Sequence, residues 1–322
     1  MSGPLRWGVI GTGAIAAAWV EDMGMTDSGA VVAVGSRKLE TAERFAERWN
    51  IPNRHPSYEA LVADPEVDAV YVATPHPLHN PCGQLALRAG KPVLIEKPFT
   101  VTAAEAQELV ALARSEGLFL MEAMWTRWLP HIVEIRRLLA EGALGRITVL
   151  TADHGQWFPP GGDFRRHARE LHSGALPDLG VYPVSFASMV LGTPERIVSM
   201  VTPAPDGGDD VTSMIFGYAD GAQALLNAGL SGKSPTRGAI VGSDARIEID
   251  GDFYRPSSFS VISRDGVETR HEVPHAGWGL RHQADHFAAC LSEGLLESPV
   301  MGLDESISIM ATMDAVRAQN RD

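Results

Sequence analysis

The sequence predicts an α/β protein in which a doubly wound parallel sheet is followed by an α+β domain with a large open-faced, mostly antiparallel sheet. Up to about residue 121, short β-rich apolar runs alternate with amphipathic helical stretches. After about residue 145, the β-rich runs are instead separated by Gly, Asp and Pro. A length of 322 residues also suits two domains, at roughly 100–200 residues per domain. We place the domains at residues 1-123 and 124-322.

The first half of the chain contains five candidate strands and three candidate helices. Strands flanked by helices favour a parallel sheet with helices on both faces. Gly90 closes the second helix, where a left-handed residue is favourable. The strands are Leu5–Ile10, Val31–Gly35, Ala69–Ala73, Pro92–Ile95 and Leu118–Met121, and the helices are Leu39–Trp49, Leu78–Ala89 and Ala103–Arg114.

The second half reads as a largely antiparallel sheet. Asp220-Gly221 and Asp265-Gly266 are typical of tight hairpin turns, because glycine tolerates the positive φ that such turns require. Two helices close the chain, at about Leu280–Leu291 and Leu303–Gln319, and we expect the last to pack back on the first domain. The candidate strands are Ile147–Asp153, Ile197–Thr202, Val211–Tyr218, Ala222–Leu230, Ala239–Val241, Arg246–Ile249, Ser258–Ser263 and Glu268–Val273.

One strand of this sheet is apolar on both faces. Met214 and Phe216 alternate with Ser213 and Ile215, so neither face is plainly polar. We therefore expect a partner subunit to cover the outer face, which gives a homodimer or a higher homo-oligomer.

Charge and cysteine content narrow the class of partner. A net charge of -13 disfavours nucleic acid and anionic membranes, since a phosphate-reading surface needs clustered Lys and Arg. Cys82 and Cys290 are far apart and form no C-x-x-C pair, so neither a disulfide framework nor a cysteine-based zinc site is indicated. We expect a cytoplasmic protein that acts on a small molecule.

The first strand is followed by a glycine motif, Gly11-Thr12-Gly13-Ala14-Ile15-Ala16. This G-x-G-x-x-A pattern is typical of dinucleotide-binding domains. In it Gly11 permits the tight turn, Gly13 lets the backbone approach a pyrophosphate, and Ala16 keeps the helix close to the sheet. The helix N-terminus offers N–H groups to the phosphates. The motif therefore predicts a Rossmann domain.

The end of the second strand indicates which dinucleotide is bound. NAD enzymes carry an acidic residue there for the ribose 2′-hydroxyl, whereas this chain has Gly35-Ser36-Arg37-Lys38. Ser36 can donate to a 2′-phosphate, and Arg37 can pair with it and stack on the adenine. The sequence thus favours NADP over NAD, which remains possible. The alternative is a solvated basic turn.

Several motifs together resemble the Gfo/Idh/MocA oxidoreductase family over essentially the whole chain. The segment Met121 to Arg127 and the tyrosine at position 182 resemble its dihydrodiol dehydrogenase and D-xylose dehydrogenase branch. The other motifs are Ala73-Thr74-Pro75, His79, Glu96-Lys97-Pro98, Asp178 to Pro183, Glu297-Ser298-Pro299 and Met313 to Arg317.

The resemblance implies a Rossmann domain, an open-faced sheet domain, NADP as cofactor and oxidation of a vicinal diol or an aldose. It also implies that a set of residues around the third and fourth candidate strands borders the cofactor. That set is Thr74, Pro75, His79, Glu96 and Lys97. A lone histidine near a helix start is also often structural, and Glu96 is as readily a surface residue.

Oxidation of a secondary alcohol needs a hydride acceptor and a base for the hydroxyl proton. Tyr182 is our candidate base, and with an ordinary pKa near ~10 it needs a nearby cation. Lys97 can supply that cation, and it can also hold the substrate oxygen. Asp178 lies four residues before Tyr182 and can bind substrate hydroxyls or orient Lys97, although Pro183 weakens a regular helix there. Each residue also has a structural alternative: Asp178 can be a helix cap, Tyr182 a packed aromatic ring, and Lys97 a solvated charge.

Further candidates concern substrate and metal. Trp125 offers a ring face and Arg127 offers hydrogen-bond donors to a substrate. His282 and His286 have a spacing that metal sites use, but no third ligand or H-E-x-x-H pattern accompanies them. We therefore predict no metal site and a solvated face for these histidines. Pro177, next to Asp178, departs from the branch pattern.

These observations favour an NADP-dependent dehydrogenase that acts on a polyhydroxylated ring, either an aldose or a trans-dihydrodiol. A second hypothesis is the reverse chemistry, reduction of a keto-sugar or anhydro-sugar by NADPH with Tyr182 as the acid. A third is a non-catalytic regulator that senses the cofactor on the same fold. The presence of Lys97, Asp178 and Tyr182 together favours the enzyme.

Overall fold

The structure, a computed structural model, describes residues 3–159, 172–205 and 207–320. It divides into two compact units: Met1–Arg127 with Ala276–Ile307, and Trp128–His275 with Ser308–Asp322. This division differs from the single boundary after residue 123 suggested by the sequence, because the chain returns to the first unit near its end. Among the described residues, no helix combines the length and apolar character needed to cross a membrane.

The first unit is built on a six-stranded parallel sheet in the order β3-β2-β1-β4-β5-β6, which confirms the predicted doubly wound half. Its strands are β1 (Leu5–Ile10), β2 (Gly29–Gly35), β3 (Asn53–His55), β4 (Ala69–Val72), β5 (Val93–Glu96) and β6 (Leu120–Ala123). Its helices are α1 (Ala14–Met23), α2 (Leu39–Trp49), α3 (Tyr58–Val62), α4 (His79–Arg88) and α5 (Ala103–Glu116), and near the chain end α8 (Arg281–Ser292). Short 3₁₀ turns lie at His76–Leu78 and Trp125–Trp128.

Strand β3, helix α3 and the start of strand β6 differ from the sequence expectation. Strand β3 was not predicted, because its three residues are all polar and carry no apolar pattern. Strand β6 begins two residues later than predicted. Leu118 still closes helix α5 by donating its N–H to Ala113, after the left-handed Gly117 with φ 64°.

An aromatic cluster explains why α8 belongs to the first unit. Phe287 of α8 lies with its ring 4.7 Å from that of Trp7 on β1 and 4.6 Å from that of Phe119. Trp7 also meets Trp19 of α1 edge to face, and all four side chains are buried. Burial of these large rings holds α8 against the sheet and so stabilises the first unit.

The second unit contains an eight-stranded sheet in the order β14-β13-β12-β11-β7-β10-β9-β8. All its described pairings are antiparallel except that of β7 with β10, which confirms the mostly antiparallel prediction. The strands are β7 (Ile147–Gly155), β8 (Arg196–Pro203), β9 (Asp209–Gly217), β10 (Gln223–Gly229), β11 (Gly238–Gly242), β12 (Ala245–Ile249), β13 (Phe259–Ser263) and β14 (Glu268–His271). Helices α6 (Pro130–Ala140) and α7 (Val181–Leu191) belong to this unit, and α9 (Leu303–Gln319) enters it from residue 308.

The two faces of this sheet differ sharply in exposure. On β9, Met214 and Phe216 are 2% and 1% exposed and face the core, whereas Ile215 between them is 48% exposed. Val198, Met200 and Leu225 on the neighbouring strands are also exposed. We call these four exposed side chains, Val198, Met200, Ile215 and Leu225, the apolar sheet face.

Candidate active site

The glycine motif forms a tight turn between β1 and α1. Gly11 has φ 112°, and a Cβ there would lie 2.5 Å from the Ala73 carbonyl oxygen, so only glycine fits. A Cβ on Gly13 would meet no atom within 4 Å, which leaves its backbone open to close approach. Gly13 gives α1 no capping side chain, and the first turn holds no acidic residue. The N–H groups of this turn, at Ala14 and Ile15 after Thr12, therefore suit an anion.

The end of β2 carries a hydroxyl and a cation side by side. Ser36 is half-buried and its N–H donates to the His55 carbonyl at 3.3 Å, which fixes the turn against β3. Arg37 is exposed. The turn thus presents donors, with no carboxylate between Gly35 and Lys38, and it fits a phosphate better than a bare ribose hydroxyl.

Lys97 follows a buried carboxylate at the end of β5. Glu96 is 4% exposed, accepts a hydrogen bond from the Tyr71 hydroxyl, and accepts the Lys97 N–H at 3.2 Å. Burial raises the pKa of Glu96 to about 7, and the hydrogen bond from Tyr71 and the charge of Lys97 oppose that rise. Lys97 itself is half-buried, and its peptide bond to Pro98 is cis. The alternative of a surface role for Glu96 is therefore wrong.

His79 connects this segment to the end of β4. Its Nδ1 lies 2.8 Å from the Pro98 carbonyl oxygen and its Nε2 lies 2.9 Å from that of Thr74. The ring is fully buried, and burial lowers the pKa of His79 to about 3. Thr74 is buried and Pro75 half-buried. His79 thus links Thr74, five residues before it, to Pro98, 19 residues after it.

Trp125 and Arg127 both lie inside the protein. Trp125 is 5% exposed and Arg127 is 2% exposed. The Arg127 guanidinium donates to Glu305 at 2.7 Å, an ion pair within the first unit. The structure therefore gives Arg127 an internal partner, and a substrate contact for either residue stays a prediction.

Asp178 lies in a single π-helical turn, Leu176–Gly180, that leads directly into α7. The Val181 N–H donates to Leu176, five residues back, and such turns often occur at functional sites. Asp178 Oδ2 accepts the Gly174 N–H at 3.1 Å while the Asp178 N–H donates to the Gly174 carbonyl. Asp178 Oδ2 thus accepts a backbone N–H, as the helix-cap alternative expects. A role in substrate binding stays a prediction.

A second half-buried acid, Asp209, supports the same turn. Asp209 accepts the Leu176 N–H at 2.6 Å and the Thr212 hydroxyl at 2.7 Å. A Cβ on Gly174, whose φ is 159°, would lie 1.8 Å from Asp209 Oδ1. Glycine at 174 therefore lets Asp209 approach the start of the turn that contains Asp178. The helical segment continues through Pro177 and Pro183.

Tyr182 lies among polar and aromatic groups that the sequence analysis missed. Its ring centroid is 5.1 Å from that of His154 and 5.0 Å from that of Tyr254. His154 and Tyr254 stack on each other at 4.1 Å. Gln156 Nε2 lies 2.9 Å from His154 Nε2 and 3.0 Å from the Tyr254 hydroxyl, so one amide group donates to both. The alternation of His154 and Gln156 at the end of β7 was the signal that could have found them.

The closing histidines have no metal-site arrangement in the described structure. No group of three or more His, Cys, Asp or Glu side chains suited to a metal occurs among the described residues. His286 is half-buried, with Nε2 2.8 Å from the Ser298 hydroxyl and 3.3 Å from Cys290 Sγ. The prediction of a solvated face is therefore wrong for His286, because α8 turns it toward the Ser298 loop.

Two family models match the chain between residues 5 and 251. The model described as an oxidoreductase family with an NAD-binding Rossmann fold matches residues 5–124. The model described as a GFO/IDH/MocA C-terminal domain matches residues 132–251. Together they cover both units and most of the predicted site residues.

Named relatives and solved structures agree with these matches. The chain is 35% identical to trans-1,2-dihydrobenzene-1,2-diol dehydrogenase of Xenopus tropicalis, over 98% of this chain and 97% of that protein. It is 36% identical to the Mus musculus protein of the same name, over 97% and 96%. A 3-ketoreductase from Actinomadura kijaniata, solved with NADP and TDP-benzene, superposes with a TM-score of 0.86 at 30% identity over 98% of both chains.

An aldose-aldose oxidoreductase from Caulobacter crescentus, solved with glycerol, superposes with a TM-score of 0.89 at 25% identity, over 98% of this chain and 97% of that one. The glycine turn, the Lys97 segment and the helix that carries Tyr182 therefore belong to a fold shared with sugar- and diol-acting enzymes. The chain is an NAD(P)-dependent oxidoreductase and belongs to the GFO/IDH/MocA family.

Proposed function

We propose that this chain transfers a hydride between NADP and a secondary alcohol of a polyhydroxylated ring, an aldose or a trans-dihydrodiol. Tyr182 is the acid/base in this proposal and Lys97 supports it. The observation that carries the proposal is the surroundings of Tyr182, where His154, Gln156 and Tyr254 present ring faces and polar edges together. Ring faces suit a cyclic substrate, and polar edges suit its hydroxyl groups.

The residues that would hold the cofactor lie in the first unit. The glycine turn and the first turn of α1 suit the pyrophosphate, and Ser36 with Arg37 suits a 2′-phosphate, which supports NADP over NAD. Thr74, Pro75, His79, Glu96 and Lys97 complete the set at the ends of β4 and β5. The nicotinamide supplies the hydride acceptor or donor, which no amino-acid side chain provides.

The proton part of the reaction falls to the protein. When the alcohol is oxidised, its carbon gives up a hydrogen as hydride, its O–H proton passes to the Tyr182 phenolate oxygen, and a carbonyl group remains. An ordinary tyrosine is almost fully protonated at neutral pH, so the ammonium of Lys97 is needed to favour the phenolate and to hold the substrate oxygen. The Asp178 carboxylate accepts the Gly174 N–H, and we assign Asp178 to the binding of a substrate hydroxyl.

The reverse direction uses the same groups. Reduction of a keto-sugar takes hydride from NADPH while Tyr182 gives up its proton. The similarity to a 3-ketoreductase favours this candidate as the alternative. The direction in use depends on which substrate is supplied.

We further propose that the apolar sheet face is covered by a second copy of this chain. A row of four exposed apolar side chains on adjacent strands is more than scattered surface residues. Two copies that meet through the same face form a closed, two-fold contact. The functional unit in this proposal is a homodimer or a larger homo-oligomer.

The test is a panel of aldoses, inositols and trans-dihydrodiols with NADP or NAD, at neutral and alkaline pH, followed by the absorbance of the reduced cofactor. We expect turnover with NADP, and a fall in kcat of about 10²–10⁴-fold in Lys97→Met and in Tyr182→Phe. In the double variant the two losses should not add, because residues that act as a unit are non-additive. NADPH binding without turnover of any substrate would instead support the cofactor sensor.

A further inference from the structure

The segment that carries Lys97 is held by a second buried carboxyl group that the proposed chemistry does not use. Glu122 lies on β6 and is 2% exposed. Its Oε1 accepts the N–H of Phe99 at 3.1 Å. Phe99 is fully buried and lies two residues beyond Lys97. A buried backbone N–H needs such an acceptor, because a buried donor without a hydrogen bond destabilises the folded state.

Glu96 and Glu122 hold the segment from both sides. Strands β5 and β6 pair in parallel, with Ile95 opposite Glu122 and Glu96 opposite Ala123. Glu96 accepts the N–H of Lys97 itself, and Glu122 accepts the N–H of Phe99. The backbone at Lys97 and at Phe99 is therefore hydrogen-bonded to two carboxyl groups, one on β5 and one on β6.

Charged and polar groups of the first unit lie near Glu122. Burial raises the pKa of Glu122 to about 7, while the nearby Ser306 and the charge of Arg127 oppose that rise. Arg127 is in turn paired with Glu305 of α9 at 2.7 Å. Arg127, itself paired with Glu305, therefore provides a positive charge near Glu122.

We propose that Glu122 is a positioning residue for Lys97: through the Phe99 N–H it fixes the backbone from which the lysine side chain extends. This inference rests on the role given to Lys97 in the proposed function. Catalytic groups are effective only when their supports hold them within about 0.5 Å, and a misplacement of about 1 Å costs roughly 10²-fold in rate.

Two substitutions separate the position of the acceptor oxygen from its charge. Glu122→Gln keeps a carbonyl oxygen at the same reach, so the Phe99 bond survives without the charge. Glu122→Asp keeps the charge but withdraws the oxygen by about 1.5 Å. We expect Glu122→Gln to be close to wild type and Glu122→Asp to lose roughly 10–100-fold in kcat, with a smaller change in KM. If the charge of Glu122 mattered instead, Glu122→Gln would lose more kcat than Glu122→Asp.

Glu105 offers a matched control in the same segment. Its Oε2 accepts the N–H of Val101 at 3.0 Å, the same kind of bond four residues beyond Lys97. Glu105→Ala removes that bond at a greater distance from the lysine. We expect it to lower the thermal midpoint without changing the behaviour of Lys97.

The deciding measurement is the acetylation of Lys97 by trace acetic anhydride, read by peptide mass spectrometry across a pH series, with Lys233 as the internal reference. It needs no turnover, so it is independent of the proposed function. We expect the pH profile of Lys97 to shift in Glu122→Asp and to stay unchanged in Glu122→Gln and Glu105→Ala. If the folded Asp variant leaves the profile unchanged, or if the Gln variant shifts it equally, the inference is wrong. A shifted profile in a chain that turns over no substrate would leave the positioning role intact and reject the proposed function.

Discussion

The Tyr71 hydroxyl donates a hydrogen bond to the buried carboxyl of Glu96. Tyr71 is held in turn by Trp19 of α1, whose ring stacks on it at 4.3 Å. The residue that precedes Lys97 is thereby fixed through the core of the first unit. A tyrosine inside strand β4 thus supports the site without reaching it.

We predict that Tyr71→Phe lowers the free energy of unfolding by about 1–3 kcal/mol, because a buried carboxyl loses a donor. The measurement is urea-induced unfolding. Tyr218→Phe is the matched control, since the buried Tyr218 hydroxyl has no hydrogen-bond partner among the described residues. It should be neutral or slightly stabilising. Equal losses in the two variants would show that the Glu96 bond contributes nothing specific.

The dependence of stability on pH is the second prediction. Burial raises the pKa of Glu96 and of Glu122 to about 7 from an ordinary 4.5. These two carboxyl groups therefore bind more protons in the folded than in the unfolded chain between about pH 4.5 and pH 7, and they make stability fall as pH rises through that window. His79 has the opposite sign, because its lowered pKa of about 3 makes stability rise between about pH 3 and pH 6.5.

Glu122→Gln should remove the contribution of Glu122 to the fall in stability with rising pH. Between pH 5 and pH 8 the variant should lose less stability than the wild type, by a difference on the order of 3 kcal/mol for a fully buried group. Thermal unfolding at a series of pH values measures this. Glu108→Gln, an exposed site on α5, should follow the wild-type curve. A Glu122→Gln curve parallel to the wild type would contradict the prediction.

The sequence predicted the parts of this fold that depend on periodic apolar patterns. The parallel strands β1, β2, β4 and β5 were placed within two residues, because their apolar runs are bounded by glycine and helical stretches. Strand β3 has the sequence Asn-Arg-His and gives no such signal. It forms because its backbone pairs with the edge of β2, which no local pattern records.

For the site as well, local sequence patterns did not reveal contacts between distant strands. Local spacing identified the glycine turn and the Glu96-Lys97-Pro98 segment, since their residues are adjacent in sequence. The partners of those residues come from other strands: Tyr71 for Glu96, and Glu122 for Phe99. Likewise Tyr254 reaches Tyr182 across 72 positions of the printed sequence. Tertiary pairing decides such contacts, and a single sequence does not reveal it.

The third prediction concerns the cofactor. Arg37→Ala should raise the KM for NADP by about 10–100-fold, the effect of losing a hydrogen bond to a charged group, and leave the KM for NAD nearly unchanged. Steady-state kinetics with both cofactors measure this. Arg44→Ala, on α2 and paired with Glu40, is the matched control and should change neither value. An equal effect of Arg37→Ala on both cofactors would refute the assignment to the 2′-phosphate.

The fourth prediction concerns the apolar sheet face. Met200→Glu combined with Ile215→Glu should convert the oligomer to a monomer, because two charges would be buried at the contact. Analytical ultracentrifugation at micromolar concentration measures the mass. Val267→Glu, at an equally exposed apolar site in the β13–β14 hairpin, should leave the mass unchanged. A wild-type chain that is already monomeric would reject the proposal.

The last prediction concerns the groups around Tyr182. Tyr254 stacks on His154, and its hydroxyl accepts a hydrogen bond from Gln156. Tyr254→Phe keeps the ring and removes that polar link, so the stacking remains while the Gln156 amide loses an acceptor. Because an aldose has more hydroxyl groups to satisfy than a dihydrodiol, the change should raise the KM for aldoses by about tenfold, as expected for one hydrogen bond, and affect dihydrodiols less.

Gln156→Leu should act in the same direction, since it removes the donor shared by His154 and Tyr254. Parallel kinetics with one aldose and one trans-dihydrodiol, at saturating NADP, give the ratio of the two KM changes. Tyr58→Phe, on α3 of the other unit, provides a tyrosine control and should leave that ratio at its wild-type value. If Tyr254→Phe weakens both substrates equally, the network serves to hold Tyr182 in place, and its polar edges do not select the substrate.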